Sequence, residues 1–252
     1  MPSYRDEAIV LRTQQLGEAD RIVTLLGRER GLIRAAARGV RRTSSRFGAR
    51  LEPFMAVDGQ FHAGRSLDTV TQAATIASHG ARIVADFDAY AAASVMTEAA
   101  ERLAQTDSPR QLYVLLLGGL RALARREHPP RLVLDAYLLR ALAVAGWAAS
   151  FGDCARCGRP GPHERLSVPL GGSVCGACGP KARPVPPELP RHLGALLTGE
   201  WAAAEAGPEH VRRRGSAFTS AYARYHLDRD LRSLQLLDRP HLEEAPIVEP
   251  RA

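Results

Sequence analysis

The sequence predicts an α+β multidomain protein: a small N-terminal β-barrel, then an α-helical domain interrupted by a cysteine-bearing insert. Three observations lead there. The first 80 residues carry short β-branched runs broken by turn signals, apolar residues recur with the helical period after residue 80, and all four cysteines fall in one Gly/Pro-rich stretch. With 252 residues, 45% hydrophobic and 24% charged, the chain suffices for one large core or two modest ones. That composition excludes a disordered, collagenous or disulfide-dense secreted protein. The opening MPSYRDEAIV lacks the basic and apolar regions of a secretory leader. The longest charge-free apolar stretch of the helical middle, 141–152, is too short to span a bilayer. A cytoplasmic protein with no membrane partner is expected.

In the first block, Ile9-Val10-Leu11, Ile22-Val23-Thr24-Leu25-Leu26 and Leu32-Ile33 read as strands, with turns at Gly17 and Gly31. From Phe54 to Phe61 the pattern alternates, with Met55, Val57 and Phe61 on one face and Ala56, Asp58 and Gln60 on the other. Ala63-Gly64-Arg65-Ser66 then turns the chain into Leu67-Asp68-Thr69-Val70-Thr71. Five short strands in so few residues suit a closed barrel, which leaves no exposed edge, and the oligonucleotide-binding (OB) barrel is one such solution.

After residue 80 the spacing predicts an Ala-rich helix over 86–105 and a second helix capped by Ser108-Pro109. In that second helix Leu112, Leu115, Leu116 and Leu123 form a stripe flanked by Val114, Leu117 and Leu120, which places it inside a bundle. Pro129-Pro130 ends it and starts a nearly all-apolar helix over 131–149, and two further helices are expected over 189–204 and 209–237. Residues from Arg239 onward read as a loose tail.

Residues 153–187 are too rich in glycine and proline for a long helix or central strand and too poor in apolar side chains to order by burial. They contain Cys154-Ala-Arg-Cys157 and Cys175-Gly-Ala-Cys178, seventeen residues apart. Two residues between cysteines let both thiolates of a pair reach one ion, and two such knuckles close a tetrahedral zinc-ribbon site. Gly158 and Gly179, each just past a second cysteine, suit the tight turn of a knuckle. One structural Zn2+ held by Cys154, Cys157, Cys175 and Cys178 is therefore expected. Disulfides are disfavoured in a cytoplasm, a redox C-x-x-C belongs beside a βαβ pattern that is absent, and four thiolates leave no open position for catalysis. His163 could replace one cysteine, but four well-spaced thiols make it unnecessary.

The net charge of +7 is unevenly spread: residues 1–80 carry +4, 81–150 +1, 151–187 +3 and 188–252 −1. Between Arg28 and Arg50 there are eight Arg and one acid, Glu29. Such a Gly/Ser-rich basic loop can follow a phosphate backbone and release its counterions, with Ser44 and Ser45 adding hydrogen bonds and Phe47 a stacking face. A solvated basic loop, or one that binds an acidic protein tail, remains open at this level. Arg212-Arg213-Arg214 fans around a helix and reads as a solvated face. Asp86 with Asp88, and Asp228 with Asp230, lie at i, i+2 and read as capping or exposed residues. Gly118-Gly119 suits close helix packing, and Trp147 and Trp201 read as core or interface anchors. The sequence has no HExxH, Gly-x-Ser-x-Gly, Walker or Rossmann signature and nominates no catalytic residue, so no enzyme is expected.

Taken in order, these features resemble the bacterial RecO family of recombination mediators over roughly residues 1–240. The resemblance rests on Gly17-Glu18-Ala19-Asp20-Arg21-Ile22-Val23, on Arg38-Gly39-Val40-Arg41-Arg42 with Ser45-Arg46-Phe47, and on Leu51-Glu52-Pro53-Phe54. It continues through Cys154-x-x-Cys157-Gly158 and Gly171-Gly172-Ser173-Val174-Cys175-x-x-Cys178. It implies an OB barrel over 1–80 that binds DNA, a helical domain over 81–152 and 188–238, a zinc-ribbon insert over 153–187 and a flexible tail over 239–252. It also implies a nucleoid-associated, non-enzymatic protein of the RecFOR pathway. Such a protein binds single- and double-stranded DNA, anneals complementary strands and acts with RecR to help RecA replace single-strand-binding protein (SSB). By position, the DNA-binding residues are Arg34, Arg38, Arg41, Arg42, Arg46 and Arg50. The family's pocket for the acidic SSB C-terminal tail lies in the helical domain, where Arg121, Arg125, Arg126 and Arg131 are suggestive. The alternative is a zinc-ribbon regulatory protein whose basic loop binds protein partners.

Overall fold

The computed structural model describes residues 2–104, 108–182, 184–227 and 231–237; the expected tail and the Asp228/Asp230 pair lie outside them. Five strands, β1 Ser3–Leu16, β2 Asp20–Gly27, β3 Gly31–Ala37, β4 Met55–His62 and β5 Asp68–Ser78, close into a barrel in the order β1-β2-β3-β5-β4. All pairings are antiparallel except the seam between β3 and β5, which is parallel and only two residue pairs long, Ala35↔Asp68 and Ala36↔Thr69.

The unbroken apolar run Ala8–Leu11 reflects a strand buried on both faces. Ala8 and Val10 join Val23, Leu25, Ile33, Val57 and Phe61 inside the barrel. Ile9 and Leu11, with Leu26 and Ala56, belong instead to the core of the helices. Barrel and helices thus share one apolar contact, reinforced by a bidentate pair from Arg12 to Glu101 of the second helix at 2.7 and 2.8 Å.

The helices are α1 Gly80–Val84, α2 Phe87–Leu103, α3 Pro109–Arg125, α4 Pro130–Val144, α5 Glu188–Thr198, α6 Trp201–Ala206 and α7 Glu209–His226. Asp86 caps α2 by accepting from the Ala89 amide at 3.1 Å. Gly119 lets α3 approach α2, since a Cβ there would meet the Met96 methyl at 2.4 Å. Several boundaries depart from the sequence reading. The helix expected over 131–149 stops at Val144, because the chain reverses at Gly146 and the Trp147 amide turns back to the Leu142 carbonyl. The helix expected over 189–204 is two, separated at Gly199, which takes a positive φ and ends α5. The last helix ends at His226, and residues Arg232–Leu236 form a separate 3-10 turn. Val114, placed on an apolar flank by the pattern, is exposed. Among the described residues no helix is long and apolar enough to cross a membrane.

One buried charge shapes this core. Asp135 of α4 is wholly enclosed, with Arg131 Nε at 3.6 Å and a hydrogen bond from the Ser216 hydroxyl of α7. Burial pushes its carboxyl up to about 6, outweighing the opposing pull of Arg131 and Ser216. The folded state therefore binds the proton more tightly than the unfolded chain, whose value is near 4. This group's contribution to stability is greatest below about pH 4 and is lost as pH rises through about 6. Asp135→Asn is expected to unfold at higher urea concentration than the parent at pH 7, by up to ~3 kcal/mol, with the advantage gone near pH 4. An equal gain at both pH values would show that the carboxyl titrates normally.

Candidate nucleic-acid interface and metal centre

The segment between β3 and β4 is fastened to the end of the barrel by its apolar residues. Val40, Phe47 and Leu51 enter the barrel core, Phe47 with only 1% of its surface exposed. Backbone bonds complete the attachment: Gly39 N–H donates to the Asp20 carboxylate at 2.7 Å, and Arg41 N–H to the Ala19 carbonyl at 3.0 Å. The stacking role expected of Phe47 is therefore corrected. Its ring is core, and only the Arg46 guanidinium lies over it, 5.0 Å from the centroid. Ser45 Oγ accepts from the Phe47 amide, while Ser44 is exposed.

Fixing the apolar residues inward drives the intervening arginines outward. Arg34, on the outer face of β3, and Arg38, Arg41, Arg42, Arg46 and Arg50 are all exposed. Among the described residues none of the six lies in an ion pair; Arg41 and Arg50 donate to the backbone carbonyls of Glu18 and Arg46. The other two arginines of the run are engaged elsewhere. Arg28 pairs with Glu7 at 2.7 Å, and Arg30 lies over the Tyr4 ring at 3.9 Å. Of the acids at this end of the barrel, Asp20 accepts from Gly39 N–H and Glu52 pairs with Arg21 at 2.6 Å, while Glu18 is exposed and offers Arg41 its backbone carbonyl. Between the segment and β5, a depression of about 330 Å³ is lined by Arg46, Arg50, Thr75 and Ser78. Anions therefore meet guanidiniums that have no competing carboxylate partner.

The insert is built on equally local rules. Two short strands, β6 Leu166–Ser167 and β7 Gly172–Ser173, pair antiparallel. Gly172 sits at φ 135 with its Cα against the Ser150 carbonyl, and an added Cβ would fall 2.0 Å from that oxygen. Each knuckle closes with an amide returning to its first cysteine: Gly158 N–H to the Cys154 carbonyl at 2.8 Å, and Gly179 N–H to the Cys175 carbonyl at 2.9 Å. Gly158 needs its positive φ of 71, whereas Gly179 is required by contact, since a Cβ there would lie 2.4 Å from a Val174 methyl. The four sulfurs lie within 4.8 Å of one another, and Cys157 Sγ to Cys175 Sγ is 3.9 Å. Four thiolates about 2.3 Å from one ion are spaced by roughly 3.8 Å, so the donor set fits a tetrahedral metal. The amides of Cys175, Cys157 and Arg156 point at Cys154 Sγ and lower its thiol, while hydrogen bonding with the Cys157 and Cys175 sulfurs pushes the Cys178 thiol up. His163 is not in the cluster; its Nε2 meets the Arg159 carbonyl at 2.9 Å.

The structure also assembles a basic surface that linear reading missed. Arg131 of α4 and Arg212, Arg213 and Arg224 of α7 line a cleft of about 720 Å³. Arg212 is paired with Glu209 at 2.7 Å, but Arg213, Arg214 and Arg224 are exposed. The eleven-residue spacing of Arg213 and Arg224, three helical turns, is the one signal that could have placed them on a common face. Of the four suggestive arginines, Arg121 and Arg125 each approach Glu127 at 3.8 Å, Arg126 approaches Asp86 at 3.4 Å, and Arg131 approaches Asp135.

Comparison with known proteins identifies the family. The family model described as Recombination protein O N terminal matches residues 1–79, and the one described as Recombination protein O C terminal matches residues 84–235. A protein named DNA repair protein RecO from Thermobifida fusca is 52% identical over 242 residues, covering 95% of this chain and all of that relative. Proteins of the same name from Streptomyces coelicolor and Frankia casuarinae are each 53% identical, over 248 and 244 residues, again along the full length of the relative. With both halves matched and more than half of the residues shared along nearly the whole length, the chain belongs to the RecO family.

Proposed function

We propose that this chain is a non-catalytic DNA-handling protein of repair and recombination. In this reading it binds single- and double-stranded DNA, anneals complementary strands and, with RecR, helps RecA load onto SSB-coated DNA in the cytoplasm, at the nucleoid. The observation that carries the reading is the outward set Arg34, Arg38, Arg41, Arg42, Arg46 and Arg50, exposed and free of carboxylate partners among the described residues. Cations so placed neutralise phosphates of two strands at once and lower the repulsion that opposes pairing. Guanidiniums also offer bidentate contacts to phosphate that a lysine cannot make.

In the same reading residues 1–80 are the DNA-binding barrel, 81–152 and 188–238 the helical domain, and 153–187 a scaffold around one Zn2+ on Cys154, Cys157, Cys175 and Cys178. The SSB-tail contact is assigned to a cleft of about 270 Å³ lined by Val114, Leu115, Tyr137 and Trp201 together with Arg121 and Arg140. That lining pairs an apolar surface with two cations; Glu127, also in the lining, approaches Arg121 at 3.8 Å, which leaves Arg140 as the cation for an acidic peptide.

The test is strand annealing on bare strands, on strands coated with SSB, and on strands coated with SSB lacking its acidic tail. Acceleration is expected in the first two cases and its loss in the third. Failure on bare strands would move the arginine surface from DNA to an acidic protein partner.

A further inference from the structure

Where α4 ends and α7 ends, a set of aromatic rings reaches the surface. Phe151, Phe218 and Tyr222 form its buried part, with successive ring centroids 5.8 and 5.9 Å apart. His226 packs edge-on against Tyr222 at 4.5 Å, and Trp147 stacks on His226 at 5.0 Å with an interplanar angle of 22°. Tyr225 also meets His226, 5.1 Å away and nearly perpendicular to it. The inner rings are shielded from solvent, but Trp147 is 38% and Tyr225 53% exposed. The backbone that carries Trp147 is fixed. Its amide donates to the Leu142 carbonyl at 2.8 Å and its carbonyl accepts from the Tyr222 hydroxyl at 3.2 Å. Two large rings thus stand at the surface, both packed on His226, which rests on the buried Tyr222.

Among the described residues, the exposed charges that α7 carries beside them are basic. At 100° per residue, Arg214 and Tyr225 are aligned along one line of α7, and Arg213 and Arg224 along the next, each pair about 16 Å apart along the axis. All four side chains are exposed. The one carboxylate of α7, Glu209, is bound to Arg212. Arg224, next to Tyr225, also opens onto the cleft that Arg131 and Arg213 line. Open rings at the end of a guanidinium track match a polyanion that carries planar groups. Base–aromatic stacking tolerates any sequence because every base has a π-face.

We propose that this face of the helical domain is a second DNA contact, where Trp147 and Tyr225 stack unpaired bases of a strand whose phosphates follow Arg213, Arg214 and Arg224. The inference rests on the DNA-handling reading above. It adds a site for a single strand remote in sequence from the barrel's arginine segment, so that one molecule holds two strands through different chemistry.

Trp201→Phe leaves Trp147 as the one tryptophan reporter. Labelled oligo-dT and an abasic strand with the same number of phosphates are each titrated at low salt, with strand anisotropy reading binding and Trp147 emission reading stacking. Oligo-dT is expected to quench the emission with the same midpoint as its anisotropy change, and the abasic strand to leave emission unchanged. Oligo-dT that binds without altering emission, or equal quenching by both strands, overturns the stacking site while leaving the DNA-handling reading intact. Absence of any anisotropy change overturns both. A second variant needs no tryptophan replacement: Tyr225→Ala, which truncates a half-exposed ring, should bind single strands about five- to tenfold more weakly. Its affinity for a duplex should stay unchanged, and equal weakening for both, or none, counts against the proposal.

Discussion

Chelation is expected to unfold the four-cysteine insert as a unit while the barrel keeps its structure. The insert has little else to hold it. Apart from its cysteines, its only fully buried apolar residue among the described ones is Val174, with Ala182 partly packed against it, and Leu166, Val168 and Val185 lie half-buried against the helical core. Burying one valine contributes about 1.5–3 kcal/mol, whereas ordering the backbone costs about 1–2 kcal/mol for every residue. The β6–β7 pair, two residues a side, falls far short of the length at which a hairpin is stable alone. A structural metal, by contrast, contributes roughly 10–16 kcal/mol in small peptide sites. The barrel has its own separate core and shares no residue with the cysteine cluster.

Hydrogen exchange before and after chelation reads the outcome. Amides of Gly158, Cys178 and Gly179, protected by their knuckle bonds, should become unprotected, while Val23 and Leu25 in the barrel keep their protection. Cys175→Ser should reproduce the effect without chelator. Knuckle amides that stay protected in metal-free protein would mean that packing alone orders the insert. Cobalt substitution supplies the companion measurement, since a tetrahedral four-thiolate spectrum is expected and added ligands should leave it unchanged.

The legibility of this chain follows from how local each cause is. The four-cysteine cluster was readable because two-residue spacers suffice to bring thiolates within reach of one another. The barrel was readable where β-branched residues marked strands, but not at strand ends. β1 begins at Ser3 because residues 3–7 pair with β4 through the backbone, and their charges are met across the sheet, as in the ion pair of Arg5 with Asp58. The second half of β5, rich in alanine and polar residues, carries no period-2 signal yet pairs with β4 up to Ser78. Phe47, set among Arg, Ser and Gly, has the sequence context of an exposed ring, and only closure of the barrel end decides that it is core. The cleft of Arg131, Arg213 and Arg224 was invisible for the same reason: α4 and α7 meet across eighty residues of sequence, and the insert lies between them.

Replacing Arg38, Arg41 and Arg42 together with glutamine is expected to weaken single-strand binding about 100-fold at 0.1 M salt. The magnitude follows from counterion release. Each phosphate contact on a single strand contributes about −0.7 to the slope of log K against log salt, so losing three makes the slope shallower by about 2. A tenfold dilution from molar salt, where the ionic contribution vanishes, then costs the variant about two decades of affinity. Reversal to glutamate should weaken binding further, because it adds repulsion to the lost attraction. Stability should change little, since all three side chains are exposed and among the described residues none of them takes part in an ion pair. This separates the loop from paired arginines such as Arg12 or Arg28, whose replacement would strand a carboxylate. Fluorescence anisotropy at four or five salt concentrations gives both numbers at once. A parallel shift, with affinity lowered but slope unaltered, would mean that the three guanidiniums act through loop conformation, and unchanged affinity and slope would remove the barrel segment from the DNA interface.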